Sequence, residues 1–534
     1  MMNTQLKWPL LLLAGLMLGL TACKTEPEAP SASQSEVPQH PASTTYQPAR
    51  FEEDNRAEKI RSLAPDMQRL IEEHAAERHI PGIAYGIVVD DELVVSGATG
   101  VLDIESERPA TTSSAFRIAS MTKSFTAMAI LKLRDEGRLA LADPAEKYIP
   151  AMAGLEYLTS DAPAITIENL LTMTAGFPED NPWGDRQLDE TDQMLTDLMA
   201  GGVSFSNPAS FAFEYSNTGY ALLGKIISEV SGQPYQEYIR EEILLPLGMT
   251  RTYWEYDSVP ADILAHGYRW EDEQWKPEPI LHDGSYGAMG GLITTIEDFS
   301  KYVSFHLSAW PPRSAPDEGP VKRSSLRDMQ QPRFSRLYAE AKDWNGEDCA
   351  VMSGYAFGLG SATFCNGLRQ VSHGGALPGY GSNYVFFPDY GIGVMAFGNR
   401  TYTSPYSLGP VYRKIFDSLQ VKPRALPVSD ILKTRKEEVA QWVRSGDPQV
   451  EASIMAENFF MDQSKEHRRS EIAEVLEEAG DISSVGELEP ENQLRGRFRM
   501  QAANGEVVVF FTLTPEADPK VQQLDVSFEG ENED

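Results

Sequence analysis

The chain has 534 residues, more than one hydrophobic core usually supports, so we expect at least two folded units. Hydrophobic residues make up 41% and charged residues 23% of the sequence, which is typical of a globular protein. The formal net charge of −33 argues against nucleic acid as a partner, because phosphate binding needs clustered Lys and Arg, and against direct binding to anionic lipid.

The first 50 residues predict an export signal followed by a tether. Residues 1–22 contain an apolar run that is too short to span a bilayer and is typical of a signal peptide. The Leu-Thr-Ala-Cys sequence ending at Cys23 resembles a bacterial lipobox, in which the cysteine is acylated; the alternative is a cysteine in an ordinary signal peptide. Residues 23–50 are rich in Pro, Ser, Thr, Glu and Gln and have too little apolar content to fold.

We therefore predict a lipoprotein of the bacterial cell envelope that contacts the membrane only through the lipid on Cys23. Lys24 follows the cysteine directly, and by resemblance to enterobacterial lipoproteins this favours the outer membrane, with the folded part facing the periplasm.

Residues 51–420 mix helical and strand patterns, as expected for the main folded unit. Helices are predicted over residues 57–78, 120–136 and 220–231, and strands over residues 82–89, 93–98, 369–372, 382–387 and 393–397. A sheet built from both ends of this unit, with helices inserted between them, is the simplest arrangement, which makes the fold class α+β.

A Lys- and Pro-containing linker is predicted at residues 421–428, and residues 429–534 have a pattern of their own. Helices are predicted over residues 431–444 and 470–479, and alternating strands over residues 493–501, 506–514 and 521–528. We expect a small second α+β domain here, with a weak resemblance to cystatin-like or NTF2-like shapes, and the sequence indicates no role for it.

Two further cysteines, Cys349 and Cys365, flank a strand-like segment of the exported part. A disulfide across a local loop and two free thiols both fit this pattern. With so few cysteines and no His-Glu-x-x-His sequence, the chain predicts no zinc site, and nothing in it calls for a cofactor.

The first motif with chemical meaning is the chain's single Ser-x-x-Lys, formed by Ser120 and Lys123. The predicted helix starts at Ser120, so the spacing places both side chains on one face. A serine hydroxyl needs a base within hydrogen-bond reach, and Lys123 can be that base if burial or a neighbour lowers its pKa. The helix N-terminus also favours negative charge developing near Ser120.

The second motif is the only Tyr-x-Asn of the chain, at Tyr215 and Asn217. A phenol beside a lysine can share a proton with it, so Tyr215 could take the proton of Ser120 or give one to a leaving group. Asn217 could offer its amide to Lys123 or to a substrate carbonyl. Taken alone, this motif is also typical of a turn before a helix.

The third motif is His373-Gly374-Gly375, followed by Ala376, on the predicted strand that begins at residue 369. The glycines allow a substrate to approach the backbone closely. The N–H of Ala376 and the N–H of Ser120 could then form an oxyanion hole with two donors. Taken alone, a histidine before glycines is more typical of a structural turn.

Together, the order and spacing of the three motifs resemble those of the serine β-lactamase and penicillin-binding superfamily, in particular the branch of class C β-lactamases, D-aminopeptidases and esterases. Phe-Arg-Ile-Ala before Ser120 and the stretches at residues 170–176 and 290–292 add to this resemblance, which covers residues 51–419. It implies a β-lactamase and transpeptidase-like antiparallel sheet with a helical subdomain.

The resemblance also implies roles for the motif residues: Ser120 is acylated, Lys123 and Tyr215 manage its proton, and Asn217 and His373 meet the substrate. His373 departs from the Lys-Thr-Gly of β-lactamases of this type and is neutral much of the time near pH 7, which weakens recognition of an anionic β-lactam.

We therefore predict a serine hydrolase acting on a small acyl ester or a D-configured peptide. The alternatives are a class C-like β-lactamase or a D-alanyl-D-alanine carboxypeptidase, and a binding or sensor protein without catalysis on the same fold. An α/β-hydrolase would need Gly-x-Ser-x-Gly, which the chain lacks.

Overall fold

The structure, a computed structural model, describes residues 46–530, so the predicted signal peptide, Cys23 and nearly all of the predicted tether lie outside the described residues. Within the described part, no helix combines the length and the apolar character that a bilayer crossing requires.

The strands are β1 (Gly82–Val89), β2 (Glu92–Asp103), β3 (Arg108–Pro109), β4 (Phe116–Arg117), β5 (Tyr268–Glu271), β6 (Gln274–Pro277), β7 (Ile293–Thr294), β8 (Phe334–Tyr338), β9 (Val351–Tyr355), β10 (Gly360–Phe364), β11 (Arg369–Leu377), β12 (Tyr380–Phe387), β13 (Ile392–Gly398), β14 (Ile482–Asn492), β15 (Arg495–Ala502), β16 (Gly505–Leu513) and β17 (Val521–Gly530).

The α-helices are α1 (Arg56–Arg61), α2 (Ala64–Glu77), α3 (Thr122–Asp135), α4 (Ile167–Leu171), α5 (Asp192–Ala200), α6 (Asn217–Ser231), α7 (Tyr235–Ile239), α8 (Gly287–Gly290), α9 (Ile296–Ser308), α10 (Arg323–Met329), α11 (Leu408–Tyr412), α12 (Asp430–Ser445), α13 (Pro448–Ile454) and α14 (Lys465–Ala479).

Nine strands form one antiparallel sheet in the order β3-β2-β1-β13-β12-β11-β10-β9-β8. Its centre joins the two ends of the main unit, because β1 pairs with β13. Strand β1 is buried on both faces: Ile83 and Ile87 pack with α1 and α2, whereas Ala84 and Val88 point into the larger core that contains α9. The predicted α+β class is confirmed, and so is a sheet built from both ends of the main unit.

Helices α3 and α6 pack against each other in the larger core. Helix α3 begins inside the Ser-x-x-Lys motif, and α6 begins at Asn217 of the Tyr-x-Asn motif. Almost every residue of α3 is buried, which explains its Ala-, Met- and Leu-rich sequence. Helix α6 is capped by the Ser216 hydroxyl, which accepts the N–H of Gly219 at 3.1 Å, and it ends at Gly232 in the left-handed conformation. These caps fix the position of Asn217 at the first turn.

The predicted single helix at residues 57–78 is wrong, because the structure has two helices there. Leu63 separates α1 from α2, and Pro65 lies in the first turn of α2. Proline has no N–H and its ring clashes with the preceding turn, so a helix can begin at this position but cannot run through it.

The C-terminal segment has the predicted order of helices followed by an antiparallel sheet, with β14-β15-β16-β17 as neighbours and a core of its own. Strand β14 was not predicted. Its pairing with β15 shifts register at three places, between Ile482 and Ser484, between Val485 and Leu488, and near Pro490. Each irregularity breaks the alternation on which strand prediction depends.

The middle of the predicted linker is held against the main unit. Arg50 and Ala425 exchange backbone hydrogen bonds of 3.0 and 2.8 Å, and the Arg424 guanidinium pairs with Asp90 at 2.9 Å. The end of the predicted tether and the middle of the predicted linker therefore lie side by side, next to the turn between β1 and β2.

Asn399, which is fully buried just after β13, ties three strand ends together. Its Oδ1 accepts the N–H of Gly82 at 2.6 Å, and its Nδ2 donates to the carbonyls of Val101 and Leu102 at 3.1 and 3.3 Å. We expect Asn399→Leu to lower the free energy of unfolding by roughly 2–4 kcal/mol, since it leaves buried polar groups without partners. Urea unfolding of the full chain, followed by tryptophan fluorescence, measures this.

The control for that experiment is Asn458→Leu at an exposed position of the C-terminal segment. Equal unfolding midpoints for the two variants would contradict the role given to Asn399.

Candidate active site

Ser120 lies on a tight turn that leads from β4 into α3. Ala119 before it has φ of 49°, in the left-handed region, and the turn is held by two contacts of Ile118. The N–H of Ile118 donates to the carbonyl of Leu292 at 2.9 Å, and its carbonyl accepts the Ser382 hydroxyl at 2.7 Å. Ser120 remains 8% exposed at the floor of a cleft, and α3 begins at Thr122, two residues later than predicted.

Lys123 is fully buried directly behind Ser120. Its Nζ lies 3.0 Å from the Ser120 Oγ, 2.7 Å from the Asn217 Oδ1 and 3.0 Å from the Met289 carbonyl. The Asn217 amide is oriented by its Nδ2, which donates to the Asn181 Oδ1 at 2.7 Å. A neutral Lys123 can thus give its two protons to Asn217 and Met289, which leaves the lone pair for the Ser120 hydroxyl.

Burial lowers the pKa of Lys123 to about 7, although the carboxylates of Asp185 and Asp180 act in the opposite direction. Asp180 is itself held at the start of α6, where it accepts the N–H groups of Asn217 and Thr218 at 2.7 and 2.8 Å. A large fraction of Lys123 is therefore neutral near pH 7 and can act as a base.

Tyr215 lies beside Lys123, with the lysine Nζ 4.9 Å from the centre of the phenol ring. Burial raises the pKa of Tyr215 well above its usual range, so the phenol keeps its proton near neutral pH. Of the two roles predicted for Tyr215, donation of a proton fits this environment and deprotonation of Ser120 does not. Lys123 is the better base.

His373 is buried in the wall of the cleft and is held by two hydrogen bonds. Its Nδ1 donates to the Gly374 carbonyl at 2.5 Å, so its Nε2 accepts the Tyr355 hydroxyl at 3.1 Å. Burial, helped by the charge of Lys123, lowers the pKa of His373 to about 4. The imidazole is neutral near pH 7 and provides no cation for a substrate carboxylate.

Gly375 and Ala376 form the edge of β11 beside Ser120. A Cβ on Gly375 would lie 2.2 Å from both the Ile118 carbonyl oxygen and the Ser382 Oγ, so only glycine fits there. Strand β10 pairs with β11 only as far as Ser372, which leaves the next residues of β11 without a strand on that side among the described residues. The alternation of an antiparallel ladder directs the Ala376 N–H to that side, where it can serve as an oxyanion donor.

The cleft above Ser120 has a volume of about 520 Å³ and brings the three motifs together. Ser120, Tyr215, His373, Gly375 and Ala376 line it directly, whereas Lys123 and Asn217 lie behind its floor. The residues that complete the lining are Asn181, Pro182, Asp185, Gly374, Ser382, Asn383, Tyr402, Thr403 and Ser404.

Asn181, Asp185 and Tyr402 were not predicted as site residues. Asn181 and Asp185 belong to a turn-rich loop with no periodic pattern, and Tyr402 follows the last strand of the sheet. Nothing in the spacing along the chain indicates that these segments meet over Ser120.

Cys349 and Cys365 form a disulfide that closes the β9–β10 hairpin, away from the cleft lining. Within residues 46–530, no group of three His, Cys, Asp or Glu side chains is placed to hold a metal ion.

The fold and this site together indicate a family of serine hydrolases with the β-lactamase fold. The model of the β-lactamase family matches residues 67–414, well over half of the chain, and the chain belongs to that family.

Relatives agree with this assignment. Protein flp of Staphylococcus aureus is 30% identical over 343 residues, which are 63% of this chain and 63% of that protein, so the match spans less than two thirds of the relative. Beta-lactamase-like protein 2 of Dictyostelium discoideum is 32% identical over 46% of each chain.

Two solved structures share the fold. The octameric penicillin-binding protein homologue of Pyrococcus abyssi superposes with a TM-score of 0.54 at 24% identity, covering 87% of this chain and 98% of its own. A class C β-lactamase superposes with a TM-score of 0.54 at 19% identity, covering 69% of this chain and 99% of its own.

The reactivity of Ser120 should follow the protonation state of Lys123. Because only neutral lysine can accept the proton, modification of Ser120 by a fluorophosphonate should rise about thirtyfold from pH 5.5 to pH 8.5, with a midpoint near 7. Labelling reactions that are quenched at a series of times and analysed by intact-protein mass spectrometry give the rate of modification. Lys123→Ala should be at least about a hundredfold slower at pH 8 and should lose this midpoint; an unchanged pH profile in that variant would remove Lys123 from the role of base.

Proposed function

We propose that the protein is a serine hydrolase that forms an acyl-enzyme at Ser120 with a small acyl ester or a D-configured peptide amide. The observation that carries this proposal is the buried Lys123 amine, which lies 3.0 Å from the Ser120 Oγ and whose pKa is about 7. A solvated lysine would be protonated at neutral pH and could not activate a hydroxyl.

In the acylation step, the substrate carbonyl lies over Ser120 with its oxygen toward the N–H groups of Ser120 and Ala376. The Ser120 Oγ attacks the carbonyl carbon while its proton passes to the Lys123 Nζ. The negative charge that forms on the carbonyl oxygen is stabilised by the two N–H donors. The phenol of Tyr215 gives a proton to the leaving group and can recover one from the adjacent lysine, so that no net charge is left in the site.

In the deacylation step, water attacks the ester formed on Ser120 and gives a proton to the Lys123 Nζ. The base returns a proton to the Ser120 Oγ as the acyl group leaves as a carboxylic acid. The Asn217 Oδ1 accepts one proton of Lys123 at 2.7 Å, and this hydrogen bond helps to direct the amine at the serine.

The neutral His373 supports the choice of substrate. A β-lactam or a D-alanyl-D-alanine peptide carries a carboxylate, and the described lining of the cleft contains no Lys or Arg to pair with it. Esters and amides without a carboxylate near the reacting bond avoid the cost of burying an unpaired anion.

Ser120→Ala should abolish both labelling by a fluorescent phosphonate and turnover of p-nitrophenyl acetate, because it removes the hydroxyl that lies 3.0 Å from the Lys123 amine. The intact mass of wild type mixed with the ester should show one added acetyl group. Labelling of Ser120→Ala at the wild-type rate contradicts the proposal, and rapid hydrolysis of nitrocefin by wild type contradicts the preference for substrates without a carboxylate.

We also propose that the chain is anchored to the cell envelope by lipid on Cys23, on the support of the Leu-Thr-Ala-Cys sequence and the signal-like residues before it. Wild type expressed in a Gram-negative host should incorporate radioactive palmitate and sediment with outer membranes, whereas Cys23→Ser should do neither. Equal incorporation by both chains contradicts the anchor.

A further inference from the structure

Tyr355, the last residue of β9, lies between two walls of the cleft. Its hydroxyl donates to the His373 Nε2 on β11 at 3.1 Å, and its ring meets the Tyr215 ring edge-on, with 6.5 Å between the ring centroids. One of these walls belongs to the nine-stranded sheet, and the other to the segment that leads into α6. His373 and Tyr215 line the cavity, and Tyr355 supports both of them from behind this lining.

The tip of the β9–β10 hairpin holds Tyr355 in this place. Gly358 at the tip has φ of 69°, and a Cβ there would lie 2.7 Å from the Lys123 carbonyl oxygen, so the absence of a side chain lets the tip approach α3 closely. The neighbouring Phe357 N–H donates to the carbonyl of Met329 in α10 at 3.2 Å. The hairpin is therefore seated on the helix that carries the base, and Tyr355 extends from that seat to the two walls.

Both contacts of Tyr355 bear on groups that the proposed reaction uses. His373 precedes Ala376, the second oxyanion donor, by three residues on β11, and Tyr215 gives the leaving group its proton. Both ring nitrogens of His373 are engaged, one by Tyr355 and the other by the Gly374 carbonyl, so the imidazole has a single orientation.

We propose that Tyr355 is a positioning residue that sets the separation between the oxyanion donor on β11 and the proton donor Tyr215. This inference rests on the proposed acyl-enzyme at Ser120 and adds a residue that does not touch the substrate. The hydroxyl fixes the imidazole and the ring fixes the phenol, so that both walls fit the same bound substrate. Such precision matters, because a misplacement of about 1 Å can cost roughly a hundredfold in rate.

The rival role for Tyr355 is general packing of the hairpin tip. A loss of packing would lower the rate of hydrolysis by the same factor for every substrate. A misplaced Tyr215 would instead slow most the substrates whose leaving group needs a proton in order to depart. An alkoxide needs that proton, whereas p-nitrophenolate is stable as an anion near neutral pH.

The first test compares two esters that share the acyl group, p-nitrophenyl acetate and benzyl acetate, on the full chain at pH 7. Tyr355→Leu, which removes the ring, should lower kcat/KM about tenfold for p-nitrophenyl acetate and at least about a hundredfold for benzyl acetate. Tyr355→Phe keeps the ring and loses only the hydroxyl, so it should lower both values by a similar factor of about five.

Tyr412→Phe is the matched control. It also removes a buried tyrosine hydroxyl that donates to a side chain of β11, but the acceptor is the Gln370 Oε1 at the other end of the strand. Both esters should keep their wild-type kcat/KM within about twofold in this variant.

Nitrogen-15 NMR of histidine-labelled protein reports the hydroxyl contact directly. At pH 7 the His373 Nε2 of wild type should have the signal of an unprotonated nitrogen that accepts a hydrogen bond, and Tyr355→Phe should move that signal to higher chemical shift. Tyr412→Phe should leave it in place, and its absence from His373→Gln assigns it.

Equal losses with the two esters in Tyr355→Leu, or an unchanged His373 signal in Tyr355→Phe, overturn the inference. If circular dichroism shows that Tyr355→Leu does not fold, the decision falls to Tyr355→Phe, in which wild-type rates with both esters equally overturn the inference. A wild-type chain that shows neither turnover nor labelling of Ser120 overturns the proposed function instead.

Discussion

The desolvated amine of Lys123 is the constraint around which the site is arranged. An ammonium group cannot be buried without acceptors, and the three that surround it come from separate parts of the chain: Ser120 before α3, Asn217 at the start of α6 and the Met289 carbonyl in α8. Helix packing in the core therefore fixes the distances of the chemistry. A shift of α6 relative to α3 would separate Asn217 from Lys123.

The sequence predicted the features of the fold that depend on local pattern. The two-sided burial of β1 and β13 follows from their nearly continuous apolar residues, and α3 and α6 follow from their helical sequence patterns. The three motifs were recognisable as a set because their order and spacing along the chain resemble those of a known family. Their meeting in one cleft depended on the resemblance to a family and not on periodicity.

Other features depend on contacts between distant segments and could not be predicted. Asp185 and Asn181 lie on a loop whose path is decided by the start of α6, and the hydrogen-bond partner of the His373 Nε2 is the Tyr355 hydroxyl on β9. The break at Pro65 was open to prediction, since proline in a helical pattern is a known boundary signal. Strand β14 was not, because its register shifts remove the alternation.

The backbone pairing of Arg50 with Ala425 brings the segments that enter and leave the main unit together at one of its corners. This corner adjoins Asp90, whereas the cleft lies near Ser382, at the opposite end of the central strands and roughly 20 Å away. The chain therefore enters and leaves the main unit at the end of the central strands that is remote from the cleft, and the backbone on either side of this pairing starts far from Ser120.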